Sequence, residues 1–420
     1  MKILPVSAMT RRVSAPLRKR ADRRREALGC DRVSSGTSSG AGCRRGTVQR
    51  GALVLALLAV GGCWNGSEAD ITTPEPTEQV LQAGPEVRYV SPDGDDEDEG
   101  TRRAPWETLR HALTSINPGQ VLYVREGTYR EDLRKMSLNQ GSEDERVLVQ
   151  AYPGDSPLVR GLVWLRQPSY WTIDGLDVTW DTAIAKPPPH MVKVTGGVGW
   201  TWANSRIWGA VEAANVFITG WENDEPADWE FVGNCVHDPV PGGTSQRGSN
   251  LTVGDMGPES GPGLIERNLL FGVENGRNLT LGFRRGPDQG GPTDVDVWFN
   301  TLYDSYTAIA VAGDTSDVSV ERNILGDIES LTFVRSKRLA GAGGVRVQVN
   351  LGLAPNGYFE KPEFRQRLRF FQTPEYDGKL GAYRSGNTIV DDVSFEDTTT
   401  CGGFTTTNSV ALPYGRDGIG

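Results

Sequence analysis

Basic side chains border the two longest segments between repeats in the middle of this 420-residue chain. His237 precedes one segment, Arg247 lies within it, and Arg284 and Arg285 begin the other. An arginine stays charged at any working pH and suits a carboxylate clamp, whereas a histidine exchanges protons near neutrality. We therefore predict a site with His237, Arg247 and Arg284 as catalytic residues, and with Arg285 and Trp229 as substrate-binding residues.

Each of these residues also has an ordinary structural interpretation. His237 next to Asp238 suits a hydrogen-bonded pair at a chain corner, and Arg247 suits a salt-bridge partner in a loop. Arg284 and Arg285 suit a solvated pair, which contributes little. Eight tryptophans lie between residues 164 and 229, and alternation in strands would direct about half of them outward. Outward tryptophans stack on sugar rings, but internal packing explains them equally well.

Asparagines recur in one local frame along the middle of the chain, at intervals of 23–34 residues. Five of the six have an apolar residue three positions earlier, and four have one two positions later. Repetition at this period indicates a solenoid, a propeller or an array. We expect the side chains to stack and to pass amide hydrogen bonds from one repeat to the next. The predicted ladder consists of Asn204, Asn234, Asn268, Asn300, Asn323 and Asn350.

We predict that the repeat units are strands of a parallel β-helix. They are short, apolar and β-branched, with Gly and Asp between them, and no stretch between residues 157 and 353 has a sustained helical stripe. Propeller blades would need longer and more regular intervals, whereas one β-helix coil takes about 20–30 residues. Extra residues must leave the coils as loops, and such loops usually form the binding surface.

A small α/β unit precedes the repeats. Residues 87–90 and 121–124 are predicted strands. Residues 105–116 place Leu109, Ala112, Leu113 and Ile116 on one helical face, with Pro105 in the first turn.

Three stretches in this part of the chain resemble the opening cap of secreted right-handed parallel β-helix proteins of the pectate-lyase-like superfamily. They are YVSPDG (89–94), APWETL (104–109) and PGQVLYVREGTY (118–129). With the repeats, the resemblance covers about residues 87–353. It implies an all-β fold, a right-handed single-stranded parallel β-helix with a small N-terminal α/β cap. Activity varies within the superfamily among lyases, glycoside hydrolases and proteins without known chemistry.

The resemblance also bears on the site. Lyases of this kind hold a Lys or Arg base on the outer face of the coils, and Ca²⁺ or Arg neutralises the uronate carboxylate. Relatives often show Val-His-Asp, a Gly-rich loop and then Lys-Gly-Ser, and here Arg247 stands at the Lys position. Polygalacturonase-type hydrolases carry Asn-Thr-Asp, Asp-Asp and Gly-His-Gly signatures, which the repeats of this chain lack. An Asp-Asp pair exists at Asp391-Asp392, but it lies beyond the repeats. The acidic residues 93–99 are either a calcium site or a solvated loop.

The N-terminus is typical of an exported protein. Residues 1–50 are rich in arginine, and residues 51–60 form an apolar run too short to span a membrane. Small residues before Cys63 resemble the lipobox of bacterial lipoproteins, in which that cysteine is acylated, and a plain secretory signal is the alternative. The basic leader suggests a translation start near Val48, and a tail that binds nucleic acid is the other interpretation.

The net charge of the chain limits the classes of partner that it is expected to bind. Residues 1–62 hold 13 of the 44 Lys and Arg and 3 of the 54 Asp and Glu, so the remainder has a net charge of about −20. Such a surface repels nucleic acid and anionic membranes. Cys30 and Cys43 lie in the leader, and the sequence does not decide whether Cys235 pairs with Cys401.

These observations predict five segments: a leader with signal peptide (1–62), a linker (63–85), the cap (86–156), the coils with their C-terminal end (157–400) and a Thr/Gly-rich tail (401–420). The predicted protein is a monomer outside the cytoplasm, lipid-anchored to the cell envelope or secreted. It binds a polysaccharide and, if enzymatic, cleaves it as a lyase. The alternative is a non-enzymatic adhesive or structural surface protein with the same fold.

Overall fold

The structure is a computed structural model that describes most of the chain after residue 84. It describes residues 85–136, 138–180, 189–211, 213–220, 224–239, 248–257, 260–282, 290–311, 315–335, 345–353, 376–377, 382–385, 387–390 and 393–417. The leader, Cys63 and most of the linker lie outside these residues. Among the described residues no helix combines the length and apolarity needed to cross a membrane.

Parallel strands form two long sheets. Sheet 1 contains, in spatial order, β1 (Val87–Val90), β2 (Val121–Val124), β5 (Val147–Ala151), β8 (Trp171–Asp174), β11 (Thr201–Ala203), β14 (Trp229–Val232), β17 (Gly263–Glu266), β20 (Thr293–Trp298), β22 (Ser316–Glu321), β24 (Arg346–Gln348), β27 (Ala382–Ser385) and β26 (Tyr376–Asp377). Only the last pair of this sheet, β26 with β27, is antiparallel.

The second sheet has two arms, which the long strand β21 (Thr301–Val311) joins. Arm 2a contains β3 (Thr128–Tyr129), β6 (Leu158–Arg160), β9 (Asp177–Thr179), β12 (Arg206–Trp208), β15 (Cys235–His237), β18 (Leu269–Phe271), β25 (Leu351–Leu353) and β28 (Thr388–Val390). Arm 2b contains β4 (Leu133–Met136), β7 (Val163–Arg166), β10 (His190–Thr195), β13 (Ala214–Thr219), β16 (Ser249–Val253) and β19 (Val273–Leu281). Strand β23 (Ile324–Arg335) pairs with β21 along both arms and with β25 of arm 2a.

From β2 to β19 each coil takes one strand from sheet 1, one from arm 2a and one from arm 2b, whereas in the next two coils the long strands β21 and β23 run through both arms. Alternate residues of the strands point inward, so a buried residue of one coil stacks on a buried residue of the next. Trp202, Phe231 and Ile265, for example, are register partners and are all buried. The prediction of an all-β, right-handed parallel β-helix is confirmed.

An asparagine ladder runs along the corner between sheet 1 and arm 2a. Each buried amide donates through Nδ2 to Oδ1 of the next asparagine, over 2.9–3.1 Å. The same Oδ1 also accepts the main-chain N–H of the preceding ladder residue. The ladder consists of Asn234, Asn268, Asn300, Asn323, Asn350 and Asn387.

The prediction that Asn204 belongs to this ladder is wrong. The register pairs Ala203 with Val232, so Ser205 faces Asn234, and its main-chain N–H donates to Asn234 Oδ1 over 3.0 Å. Asn204 instead occupies the preceding corner position with φ +50° and donates to Asp174 from an exposed site. That corner position has a positive φ in every described coil from Gly175 to Val349, and asparagine tolerates it better than most residues.

A second ladder lies at the start of arm 2b. The Nδ2 groups of Asn215, Asn250 and Asn278 donate to Asn250, Asn278 and Ser305, over 2.9–3.0 Å. Each Nδ2 also donates to a main-chain carbonyl of arm 2a or of β21. These bonds satisfy buried polar groups where the chain passes from one arm to the other.

Helix α1 (Leu109–Ser115) packs against β1 and β4 and buries the predicted apolar face. Pro105 is not in its first turn, since Thr108 is the N-cap and its side chain accepts from His111 N–H. The Asp96 carboxylate accepts from the main chain of Glu107 and from both the main chain and the hydroxyl of Thr108. Asp96 of the acidic loop therefore has a structural role.

The C-terminal segment, residues 393–417, packs on the outside of arm 2a. A disulfide joins Cys401 to Cys235, and buried Phe404 contacts Phe271. Further along, Gly415 N–H donates to Arg322 O. The question that the sequence left open is thus answered: the two cysteines pair.

Candidate functional site

An aromatic and cationic column lies on the outer side of arm 2b. Val192 and Val194 of β10 are buried, so Lys193 between them points away from the core. Its register partners are Trp164 on β7 and Phe217 on β13. Stacked coils therefore place these three side chains in one line along the helix axis.

The lysine lies against both rings. Its Nζ is 4.4 Å from the Trp164 ring centroid and 5.4 Å from that of Phe217, which is cation–π geometry. Trp164 Nε1–H donates to Thr195 Oγ1 over 3.1 Å. The column continues through the register partners of Phe217. We call the lysine face the set Trp164, Lys193, Phe217, Thr252 and Thr280.

His190 lies beside the lysine face. Its ring stacks on Phe217 at 4.9 Å, and Nδ1 is 3.2 Å from the carbonyl oxygen of Ala214. Burial lowers the pKa of His190 to about 4; the Lys193 charge adds to this effect and the hydrogen bond to Ala214 opposes it. The imidazole is therefore neutral near pH 7, and its Nδ1–H donates to Ala214.

His237, the predicted catalytic residue, is packed on arm 2a. Its ring stacks between Trp208 and Phe271, with centroid distances of 5.7 and 5.0 Å. Nδ1 is 3.0 Å from Asp238 Oδ2, and 15% of the side chain is exposed. These contacts are those of a packing residue, and its catalytic role stays a prediction.

The other predicted residues have different outcomes. Arg247, Arg284 and Arg285 lie outside the described residues, so their expected approach to His237 stays a prediction. Trp229, predicted as a substrate-binding residue, has a side chain that is 0% exposed and stacks on Trp200 inside the helix, so its ring does not face solvent. Gly263 lies opposite on the next coil, where a Cβ would stand 2.2 Å from the Trp229 ring.

Sequence reasoning did not select Lys193 or His190. A signal for Lys193 exists in the strand HMVKVT (190–195), where one cation alternates with buried valines. Outward direction follows from that alternation alone. The approach of Trp164, 29 positions earlier in the chain, follows only from the coil register.

Metal-ligating groups come together at one place among the described residues. The Cys235 and Cys401 sulfurs and a ring nitrogen of His237 lie within 4.8 Å of one another. Because both sulfurs are in the disulfide, they are not free to bind a metal in this form. Calcium binding at residues 93–99, one of the two interpretations of this acidic loop, stays a prediction.

The two long parallel sheets and the ladders together define a right-handed parallel β-helix. No protein-family model matches the chain. Over 73 residues, 17% of this chain, it is 34% identical to the uncharacterized protein YwoF of Bacillus subtilis and 33% identical to the pectate lyase PEL9 of Emericella nidulans. The matched stretches span 15% and 18% of those two proteins.

Solved structures resemble the chain over most of its length but with low identity. XylC in complex with xylose covers 76% of this chain and 88% of its own, with 11% identity and a TM-score of 0.45. The pectate lyase Pel9A covers 76% and 73%, with 14% identity and a TM-score of 0.43.

Proposed function

We propose that this protein binds an anionic polysaccharide along the lysine face. The observation that carries the proposal is Lys193, whose ammonium lies 4.4 Å from the Trp164 ring and 5.4 Å from the Phe217 ring on the outside of the coils. The partial relative named as a pectate lyase supports a polymer that contains carboxylates.

The lysine face matches the chemistry of such a polymer. Apolar sugar faces stack on aromatic rings, and a uronate carboxylate pairs with an ammonium group. The chain after residue 62 has a net charge of about −20, so a local cation is needed to hold an anion. Phe217 and Thr252 are buried and Thr280 is half-buried, so half-buried Trp164 and Lys193 are the groups that the face would offer to a sugar chain.

Cleavage at this face would be a β-elimination. Lys193, as the free amine, would accept the proton α to the uronate carboxylate, and the glycosidic oxygen would then leave with the electron pair. Arg247 and Arg284, or Ca²⁺, are the proposed groups that neutralise the carboxylate. The lysine therefore enters the proposal as the Lys or Arg base that the resemblance to lyases implies on the outer face of the coils.

Binding tests the proposal directly. Lys193→Ala should weaken binding to polygalacturonate by about 10-fold, or about 1.4 kcal/mol, and added salt should weaken wild-type binding. Arg206→Ala is the matched control, because Arg206 also lies 4.5 Å from a tryptophan ring, but on arm 2a. Equal isotherms for Lys193→Ala and wild type would exclude the lysine face.

A non-enzymatic surface protein is the second candidate. The described histidines favour it, since His190 is neutral near pH 7 and His237 is packed between aromatic rings. Ultraviolet absorbance of the unsaturated uronate product separates the two functions. Binding without product formation on uronate polymers supports the scaffold, and product that disappears in Lys193→Ala supports the lyase.

The cellular location belongs to the same proposal. We propose a protein outside the cytoplasm, acylated at Cys63 or secreted, with a linker before the coils and no partner subunit. Mass spectrometry of the mature N-terminus checks the anchor, and a non-acylated terminus at another residue would contradict it. Light scattering of the mature chain checks the monomer.

A further inference from the structure

The surroundings of the Cys235–Cys401 disulfide contain the ligands of a metal site. Both sulfurs and a ring nitrogen of His237 lie within 4.8 Å of one another. The Cα atoms of the two cysteines are 5.9 Å apart. Cysteine thiolates and histidine nitrogens are the ligands that zinc takes in proteins.

The hydrogen bond of packed His237 is compatible with metal binding through Nε2. Nδ1 is 3.0 Å from Asp238 Oδ2, so its proton is donated to that carboxylate and the lone pair stays on Nε2. Nε2 is buried, and among the described residues it has no hydrogen-bond partner. Metal-binding histidines usually donate the other ring N–H to a carboxylate or carbonyl in this way.

Contacts other than the disulfide also hold the three groups. Cys235 and His237 alternate on the outer side of β15, and Trp208 and Phe271 fix the imidazole plane from both sides. Cys401 belongs to the C-terminal segment, which Phe404 and Phe271 anchor on the same arm. Opening the S–S bond therefore leaves two thiols and an imidazole close together.

We propose that reduction of the disulfide creates a zinc site with Cys235 Sγ, Cys401 Sγ and His237 Nε2 as ligands, and with water in the fourth position. A dithiol or phosphine supplies two electrons, two protons are taken up, the S–S bond breaks and two thiols form. Binding of Zn²⁺ then releases both thiol protons. In reducing surroundings the metal replaces the disulfide as the link between the C-terminal segment and arm 2a, independently of the proposed carbohydrate binding.

Metal titration tests the proposal in the full chain. Every variant carries Cys30→Ser, Cys43→Ser and Cys63→Ser, so that Cys235 and Cys401 supply the only thiols. After reduction with a phosphine and removal of oxygen, we expect one Zn²⁺ per chain in competition with a chromogenic chelator. Co²⁺ should give thiolate charge-transfer and visible d–d bands. The oxidised protein should show neither.

Matched variants assign the ligands. His237→Gln and Cys401→Ser should each weaken zinc binding at least 10-fold, and Asp238→Asn should weaken it about 10-fold through the orientation of His237. His190→Gln is the control, because His190 also stacks on a phenylalanine but lies on arm 2b. Zinc should also raise the melting temperature of the reduced protein and leave that of the oxidised protein unchanged.

Three results would overturn the proposal. The first is that the reduced protein binds zinc no better than the oxidised protein, and the second is that His237→Gln binds zinc as tightly as wild type. The third is that the reduced chain is unfolded by circular dichroism and that zinc does not restore its fold.

Discussion

The two arms of the second sheet carry similar outer columns in different surroundings. On arm 2b, Lys193 lies over Trp164 and His190 stacks on Phe217 at 4.9 Å. On arm 2a, Arg206 lies over Trp208 and His237 stacks on Phe271 at 5.0 Å. A cation, a histidine and aromatic rings therefore lie together on the outer side of both arms, although their registers differ.

The partners of these side chains differ. On arm 2a, Asp238 accepts from His237 and Asp177 pairs with Arg206, and the C-terminal segment is cross-linked over the column. On arm 2b, half-buried His190 bonds to the main-chain carbonyl of Ala214. An aromatic and cationic column thus does not by itself define a binding site, because its neighbours decide whether it serves packing or recognition.

Breaking the asparagine ladder should cause the largest loss of unfolding free energy. In Asn268→Ala, the main-chain N–H of Asn234 and the carbonyl of Phe231 lose their partner inside the helix. Two such orphaned groups cost about 4 kcal/mol of unfolding free energy. Urea unfolding measures the change. Asn204→Gly is the control, since this exposed corner residue has a positive φ and should cost less than about 1 kcal/mol. Equal losses would refute the ladder assignment.

Removing the cross-link should destabilise arm 2a alone. The disulfide closes a loop with a sequence separation of 166 residues, so replacing both cysteines with alanine should cost about 3 kcal/mol. Hydrogen exchange measures where the loss occurs. Amides of β15 and β18 should lose protection, whereas those of β10 and β13 should keep it. Uniform loss along both arms would show that the covering segment supports the whole helix.

Acid should destabilise the protein through His190. Its folded pKa of about 4 is below the unfolded value of about 6.5, so the unfolded chain binds more protons between these values and stability falls as pH falls. Between pH 7 and pH 4.5 the protonation of His190 in the unfolded chain lowers the unfolding free energy by about 2 kcal/mol. His190→Gln should remove that part of the pH dependence in urea unfolding. An unchanged profile would mean that His190 is solvated.

Removing the cation of arm 2a should have the smallest effect. Arg206 pairs with Asp177 over 3.3 Å, but 49% of its side chain is exposed. Arg206→Ala should therefore change the unfolding free energy by less than about 1 kcal/mol. Thermal unfolding checks this value, and a loss of several kcal/mol would show that the outer column stabilises arm 2a.

Several elements could be predicted because their signals are local. The frame around Asn268 and Asn300 identified ladder residues, and the spacing of Leu109, Ala112 and Leu113 identified the buried face of α1. Asn204 was misassigned because the sequence pattern around it looks similar when the repeat frame is shifted by one residue. Trp202, three positions before Ser205, was the signal for the correct frame, as Ile389 was for Asn387.

The sequence by itself determined the β-helix, its repeat and its helical cap, because periods of 2, 3.6 and about 30 residues are visible in a linear chain. Only the tertiary structure decided that Cys401 reaches Cys235 from 166 positions away and that Lys193 lies over Trp164. Such contacts depend on the register of each coil and on the path of the C-terminal segment. A one-residue change of register moves a side chain to the other face, so residue types alone do not specify them.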